Sequence, residues 1–114
     1  DGVYSQDGDL ATMDRIAELT HHYGAYLVVD DAHGTGVVGK TGRGAIEEYD
    51  LFDKVDIVTG TFSKAFAHIG GYVVADTKLI NFLKYQSKQH LFSTTATPTT
   101  LGIISPPLLI YLAS

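Results

Sequence analysis

An α/β fold, a mostly parallel sheet with flanking helices, is predicted by two features of this chain. Short apolar runs at residues 25–29, 55–59 and 72–75 are separated by glycine turns or by segments with helical spacing. The first run is continuously apolar, as expected of a strand covered on both faces of a parallel sheet.

Asp9 is placed to cap a first helix running to about His22, with Leu10, Met13, Ala17 and Tyr23 at helical spacing and Gly24 as its stop. The strand at 25–29 then ends in Asp30, and Gly34, Gly36, Gly39, Gly42 and Gly44 make a dense loop in which the backbone can turn or approach a ligand. Residues 46–49 add one helical turn, and 55–59 form the second buried strand. Gly70-Gly71 introduces the third, so Lys64 falls in the connection between strands two and three. Asp76 opens a helix to about Gln89 with Leu79, Phe82 and Leu83 on its apolar face. A hydroxyl-rich turn, Phe92-Ser93-Thr94-Thr95-Ala96-Thr97-Pro98, leads to a last helix that Pro106 and Pro107 should break or kink.

At 114 residues and 45% hydrophobic, the chain can bury one core, so one domain or part of one is expected. Eight basic and thirteen acidic residues are spread without a Lys/Arg run, which argues against a nucleic-acid partner. The absence of cysteine excludes disulfides and Cys-ligated metal and fits a reducing, cytoplasmic setting. His21, His22, His68 and His90 lack metal-ligand spacing and read as surface or helix-terminal groups, so no metal is expected. The longest apolar run, residues 101–113, is interrupted by Ser105-Pro106-Pro107 and is shorter than the roughly 20 residues a membrane span needs. The chain begins at Asp1 without a signal-like segment and reads as an excerpt of a longer protein.

Gly34-Thr35-Gly36-Val37-Val38-Gly39-Lys40-Thr41 fits the phosphate-loop pattern of NTPases, and its first six residues fit the dinucleotide pattern. Both need a helix opening at the last glycine, and Gly42-Arg43-Gly44 prevents one. Asp30 and Asp31 would also set negative charge against a triphosphate. Both nucleotide readings are therefore rejected.

Asp30, His33 and Lys64 together suit a pyridine-aldehyde cofactor. The lysine can form a Schiff base, a carboxylate can keep a pyridine nitrogen protonated, and an imidazole can bond a phenolic oxygen. A loop lysine is ordinarily solvated. Here Thr61 and Ser63 offer phosphate-binding hydroxyls beside it, while Phe62, Ala65 and Phe66 are placed to desolvate it. Ser93, Thr94 and Thr95 are by default turn and capping residues, and their clustering allows a second phosphate-binding role.

The ordered segments Tyr4-Ser5-Gln6-Asp7-Gly8-Asp9, Val29-Asp30-Asp31-Ala32-His33-Gly34-Thr35-Gly36, Gly42-Arg43-Gly44, Asp56-Ile57-Val58-Thr59-Gly60-Thr61-Phe62-Ser63-Lys64 and Gly70-Gly71-Tyr72 resemble the α-oxoamine synthases. These pyridoxal-phosphate enzymes of the aspartate-aminotransferase fold include 8-amino-7-oxononanoate synthase, 2-amino-3-ketobutyrate CoA ligase, 5-aminolevulinate synthase and serine palmitoyltransferase. The resemblance covers about the first hundred residues. It implies that residues 1–114 are part of the cofactor-binding large domain of a fold type I enzyme, with one antiparallel strand in its sheet. An upstream segment bearing the aromatic that stacks on the cofactor, and a downstream domain bearing the arginine that binds substrate carboxylate, are then missing.

The resemblance further implies that Lys64 carries the cofactor as a Schiff base, Asp30 pairs with the pyridinium nitrogen and His33 contacts the phenolic oxygen. Thr61 matches a phosphate-binding hydroxyl and Ser5 a serine beside the cofactor. Thr94 and Thr95 match a hydroxyl pair reaching the phosphate of the neighbouring subunit, so the site is expected to span a homodimer. The implied reaction condenses an amino acid with an acyl-CoA thioester, with loss of CoA and carbon dioxide and with Lys64 as base. The isolated chain is expected to be inactive. An aminotransferase of the same fold is the enzymatic alternative, and a non-catalytic partner or remnant the other. Phe66-Ala67-His68-Ile69-Gly70-Gly71 resembles the serine palmitoyltransferase and autoinducer-synthase branches more than the glycine-using ones. Thr97 stands where family members often carry proline.

Overall fold

The computed structural model describes the backbone of residues 1–112 and the side chains of residues 1–106. Three strands form one sheet in the order β1-β2-β3: β1 (Val28–Asp30), β2 (Ile57–Thr61) and β3 (Gly71–Ala75). β1 and β2 run parallel, with Val29 opposite Val58 and Asp30 opposite Thr59. β3 returns antiparallel to β2, from Thr61 opposite Gly71 to Ile57 opposite Ala75. The expected combination of parallel strands with one antiparallel strand is what the chain forms.

The core lies on one face of the sheet. Val29 is buried there, and Val58, opposite it, packs against the cluster of Val3, Met13, Ala17, Leu27, Ala45, Ile46 and Leu51. Helix α1 (Met13–His22) covers this face because Met13 and Ala17 fall one turn apart and both point inward. Helix α2 (Ala45–Glu48) buries Ala45 and Ile46 in the same core. The other face carries Val28, 56% exposed, and Val73, 45% exposed. The expectation of cover on both faces of the first strand is thus not met among the described residues. Alternation along β1 sends Val29 inward and Val28 and Asp30 outward.

Several boundaries also move. Asp9 does not cap α1: its carbonyl accepts from the Tyr4 amide and Leu10 pairs with Val3, so this segment is an extended return and the helix starts after Thr12. Leu10 and Tyr23, read as falling at helical spacing with Met13 and Ala17, lie outside α1 and are 37% and 75% exposed, the latter as the residue that ends the helix. Gly24 does take the left-handed conformation, φ 61°, expected of a helix stop.

β1 is confined to three residues, and β2 begins two residues later than expected and runs on to Thr61, where β3 supplies a ladder partner. Asp76 caps helix α3 (Thr77–Gln86) by accepting the Leu79 amide at 2.8 Å. The helix stops short of Gln89 because Ser87 takes an extended conformation and caps a separate turn, α4 (Lys88–Leu91). Phe82 on α3 is 59% exposed, so only Leu79 and Leu83 of its expected face are partly covered.

Helix α5 (Pro98–Leu112) runs through Pro106 and Pro107 without a break. Ala113, which ends the apolar run, lies outside the described residues. No helix among the described residues is long and apolar enough to cross a membrane.

Candidate functional site

Parallel pairing brings the carboxyl ends of β1 and β2 to one edge, and the antiparallel return starts β3 at that same edge. Asp30 is the last residue of β1, and Thr61, the last of β2, opens the connection that carries Lys64 to Gly71. In open α/β sheets ligands bind at the carboxyl edge.

Asp30 is exposed there, and its Oδ1 accepts the Ala32 amide at 3.0 Å, which closes the turn toward His33. His33 is half-buried in that turn. The Lys64 connection is pinned by its own ends: the Phe62 amide donates to the Gly70 carbonyl at 2.9 Å, and the His68 amide donates to the Phe62 carbonyl at 2.6 Å. Ala67 holds a positive φ of 50° within it.

The hydroxyls of Thr61 and Ser63 are 2.8 Å apart, the Ser63 amide donates to Thr61 Oγ1 at 3.2 Å, and Thr61 Oγ1 donates to the Gly70 carbonyl at 3.1 Å. Two hydroxyls are therefore gathered just before the lysine, with the Thr61 hydroxyl and the Ser63 amide donating within the turn itself. The glycine loop reaches this connection as well. A Cβ on Gly36, whose φ is 82°, would stand 2.7 Å from that of Ala65, so the loop that begins at His33 packs against the residue after Lys64.

Lys64 itself is exposed, contrary to the expected desolvation. Phe62 turns into the interior instead, 7% exposed and in ring contact with Phe66 at 5.9 Å and Tyr72 at 5.4 Å. His68, read as a surface group, is half-buried, and its Nε2 is buried without a hydrogen-bond partner among the described residues. His21 and His22 do close a helix, α1, and His90 lies exposed on α4.

Ser5 is exposed in the turn after Val3, a segment held to the end of β1 by the Gly2 amide donating to the Asp30 carbonyl at 2.7 Å. Thr94 and Thr95 are exposed between α4 and α5, and the structure does not bring them to the sheet edge among the described residues. A groove of about 1060 Å³ opens at the opposite end of the sheet, lined by Tyr26, Val55, Asp56, Asp76, Lys78 and Leu79 among others. None of the expected site residues lines it.

One residue at the site escaped the sequence reading as anything but a negative charge. Asp31 is fully buried. Its carboxylate accepts the Thr35 hydroxyl at 3.1 Å and the Ala45 amide at 3.3 Å, and Thr35 Oγ1 accepts the Tyr72 hydroxyl at 2.8 Å. Burial pushes the Asp31 carboxyl above its ordinary range, opposed by these hydrogen bonds, and burial likewise raises the Tyr72 phenol. The phosphate-loop match fails on geometry: Thr35 pairs with Arg43, residues 39–41 form a turn and not a helix, and the Glu47 carboxylate takes the Thr41 amide at 3.0 Å.

The exposed amine, carboxylate and hydroxyl pair at one edge fit a ligand bearing a carbonyl, a basic ring nitrogen and an anionic group. A family model, aminotransferase class I and II, matches residues 1–113. The chain is 47% identical over 98 residues to a serine palmitoyltransferase of Bacteroides thetaiotaomicron, covering 86% of this chain and 25% of that protein. It is 48% identical over 102 residues to an 8-amino-7-oxononanoate synthase of Fervidobacterium nodosum, covering 90% and 26%. A solved structure of SPT with PLP as internal aldimine superposes with a TM-score of 0.88 at 30% identity, over 96% of this chain and 28% of its own. The chain thus spans about a quarter of the length of the curated relatives it matches.

Proposed function

The chain belongs to the aminotransferase class I and II family, and on that premise we propose that it is part of the cofactor-binding domain of a pyridoxal-phosphate-dependent acyltransferase. The reaction joins the α-carbon of an amino acid to the acyl carbon of a CoA thioester, releasing CoA thiol and carbon dioxide. The observation that carries this reading is the convergence of Asp30, the Thr61–Ser63 hydroxyl pair and Lys64 on one sheet edge.

When bound, pyridoxal phosphate supplies an aldehyde for imine exchange and an electron-poor ring that holds the electron pair left at the amino acid's α-carbon. Lys64 Nζ would be the amine that holds the cofactor through its aldehyde, and it would also be the base placed for the amino acid's α-proton. The Asp30 carboxylate holds the proton on the ring nitrogen, and its tie to the Ala32 amide fixes the direction it faces. His33 bonds the phenolic oxygen from the same turn. Thr61 Oγ1 and Ser63 Oγ bind phosphate, and Ser5 lines the site from the segment tied to Asp30. Thr94 and Thr95 serve the phosphate of a second subunit, so the enzyme works as a homodimer, in the cytoplasm.

Acyl transfer is tested in the full-length protein by following CoA thiol release when amino acid and acyl-CoA are mixed. Thiol release that depends on both substrates supports the reading, and amino-group transfer to a keto acid without thiol release refutes it. Borohydride trapping followed by peptide mass mapping should place the reduced cofactor on Lys64, and a Lys64→Ala variant should trap none.

A further inference from the structure

Between Asp30 and His33 sits a buried carboxylate that no step above uses. Asp31 is 0% exposed and Thr35 is 4% exposed, and the two are joined to Tyr72 by hydroxyl bonds of 3.1 and 2.8 Å. The chain of donors runs in one direction: the Tyr72 phenol donates to Thr35, and Thr35 and the Ala45 amide donate to Asp31. Burial keeps the Tyr72 phenol protonated and therefore a donor.

These three residues sit on three pieces of the site. Asp31 follows β1, with its amide donating to the Thr59 carbonyl at 2.8 Å and its own carbonyl accepting the Gly34 and Thr35 amides at 3.1 and 3.0 Å. Thr35 belongs to the glycine loop that packs on Ala65 beside Lys64. Tyr72 is the second residue of β3, just past the far end of the Lys64 connection, and its ring lies over Gly60 and against Phe62.

A buried carboxylate is a poor source of stability, because its desolvation offsets much of what its hydrogen bonds return. Polar networks of this kind, when satisfied, fix one geometry. We propose that Asp31, Thr35 and Tyr72 are positioning residues: their hydrogen-bond relay locks the β1 end, the glycine loop and the Lys64 return together, and so sets how tightly and in what orientation the site holds pyridoxal phosphate. The proposal rests on the cofactor reading given under Proposed function.

The experiment compares the full-length holoprotein with Tyr72→Phe, Thr35→Val and Thr35→Ser. Each is scored for thermal midpoint, pyridoxal phosphate affinity and the visible circular dichroism of the bound cofactor. Tyr72→Phe and Thr35→Val should each weaken affinity roughly tenfold, about 1.4 kcal/mol, and reduce the dichroic band. Thr35→Ser, which keeps the hydroxyl, should recover affinity to within about threefold. Variants that melt at lower temperature but, while folded, bind cofactor with unchanged affinity and dichroism would overturn the relay's positioning role. A parent protein that traps no cofactor on Lys64 would overturn the cofactor reading itself, and the relay proposal with it. Tyr72→Phe keeps the ring on Gly60 and Phe62, so it tests the hydroxyl even if Thr35→Val folds poorly.

Discussion

Asp30 pairs with Thr59 across the parallel β1–β2 ladder, two residues before the Thr61 that opens the Lys64 connection. An acid and an amine from distant stretches of sequence thereby reach one edge of the sheet. Asp30 is exposed, and among the described residues its side chain bonds only locally, to the Ala32 amide. Asp30→Ala should therefore change stability by no more than about 0.5 to 1 kcal/mol. The rate of acyl transfer should fall by on the order of a hundredfold or more. Denaturant unfolding and steady-state kinetics on one preparation check both halves.

The Thr61–Ser63 hydroxyl pair should discriminate between the phosphorylated and unphosphorylated cofactor. In Thr61→Val with Ser63→Ala, affinity for pyridoxal phosphate should drop at least about tenfold, because hydrogen bonds to a charged group contribute roughly 1.5 to 3 kcal/mol. Affinity for pyridoxal should hold within about twofold of the parent. Equal losses for both ligands in a binding titration would remove the phosphate role from this pair.

Two glycines of the loop make a controlled comparison. Gly42 and Gly44 have φ of 80° and 85°, so an alanine is strained at either. A Cβ on Gly42 meets nothing closer than 3.8 Å, whereas on Gly44 it would overlap the Asp31 carboxylate. Gly42→Ala should cost about 1 to 2 kcal/mol, the strain alone. Gly44→Ala should cost more than about 3 kcal/mol or prevent folding. Chemical denaturation of the two variants gives the ranking.

Two carboxylates should shape acid stability with opposite signs. Burial raises Asp31, so the folded state binds its proton more tightly than the unfolded state does. Stability from this group falls as pH rises from the ordinary carboxylate range through the raised folded value, and Asp31→Asn should remove that fall. Glu47 is held low, chiefly by the Thr41 hydroxyl, with help from the Arg43 and Thr41 amides. Its stabilisation is present above the ordinary glutamate value and is lost as pH drops through the lowered folded one; Glu47→Gln should flatten that loss. Thermal midpoints measured from pH 3 to 7 resolve the two slopes.

The strands were legible because apolar runs flanked by glycines leave few alternatives, and Asp30 and Lys64 were legible because each follows such a run. What sequence spacing could not carry was pairing between distant residues. Asp9 has the chemistry of a helix cap, yet the Val3–Leu10 bridge claims its neighbourhood for an extended return. β2 lengthens to Thr61 because Gly71 pairs with it, a partner ten residues on. Lys64 stays exposed because Phe62 finds Tyr72 inside the fold. Asp31 became a buried hub because Gly2, Gly34 and Gly44, scattered through the sequence, leave room around its carboxylate and no room for side chains of their own.

The antiparallel return of β3 has a mechanical consequence for the lysine. Its segment leaves and rejoins one rung of a single ladder, where Thr61 lies opposite Gly71, and is cinched across its base by the bond from the Phe62 amide to the Gly70 carbonyl. Lys64 is thus mounted like the crown of a staple, its backbone anchored to the rim at both legs while its side chain stands out in solvent.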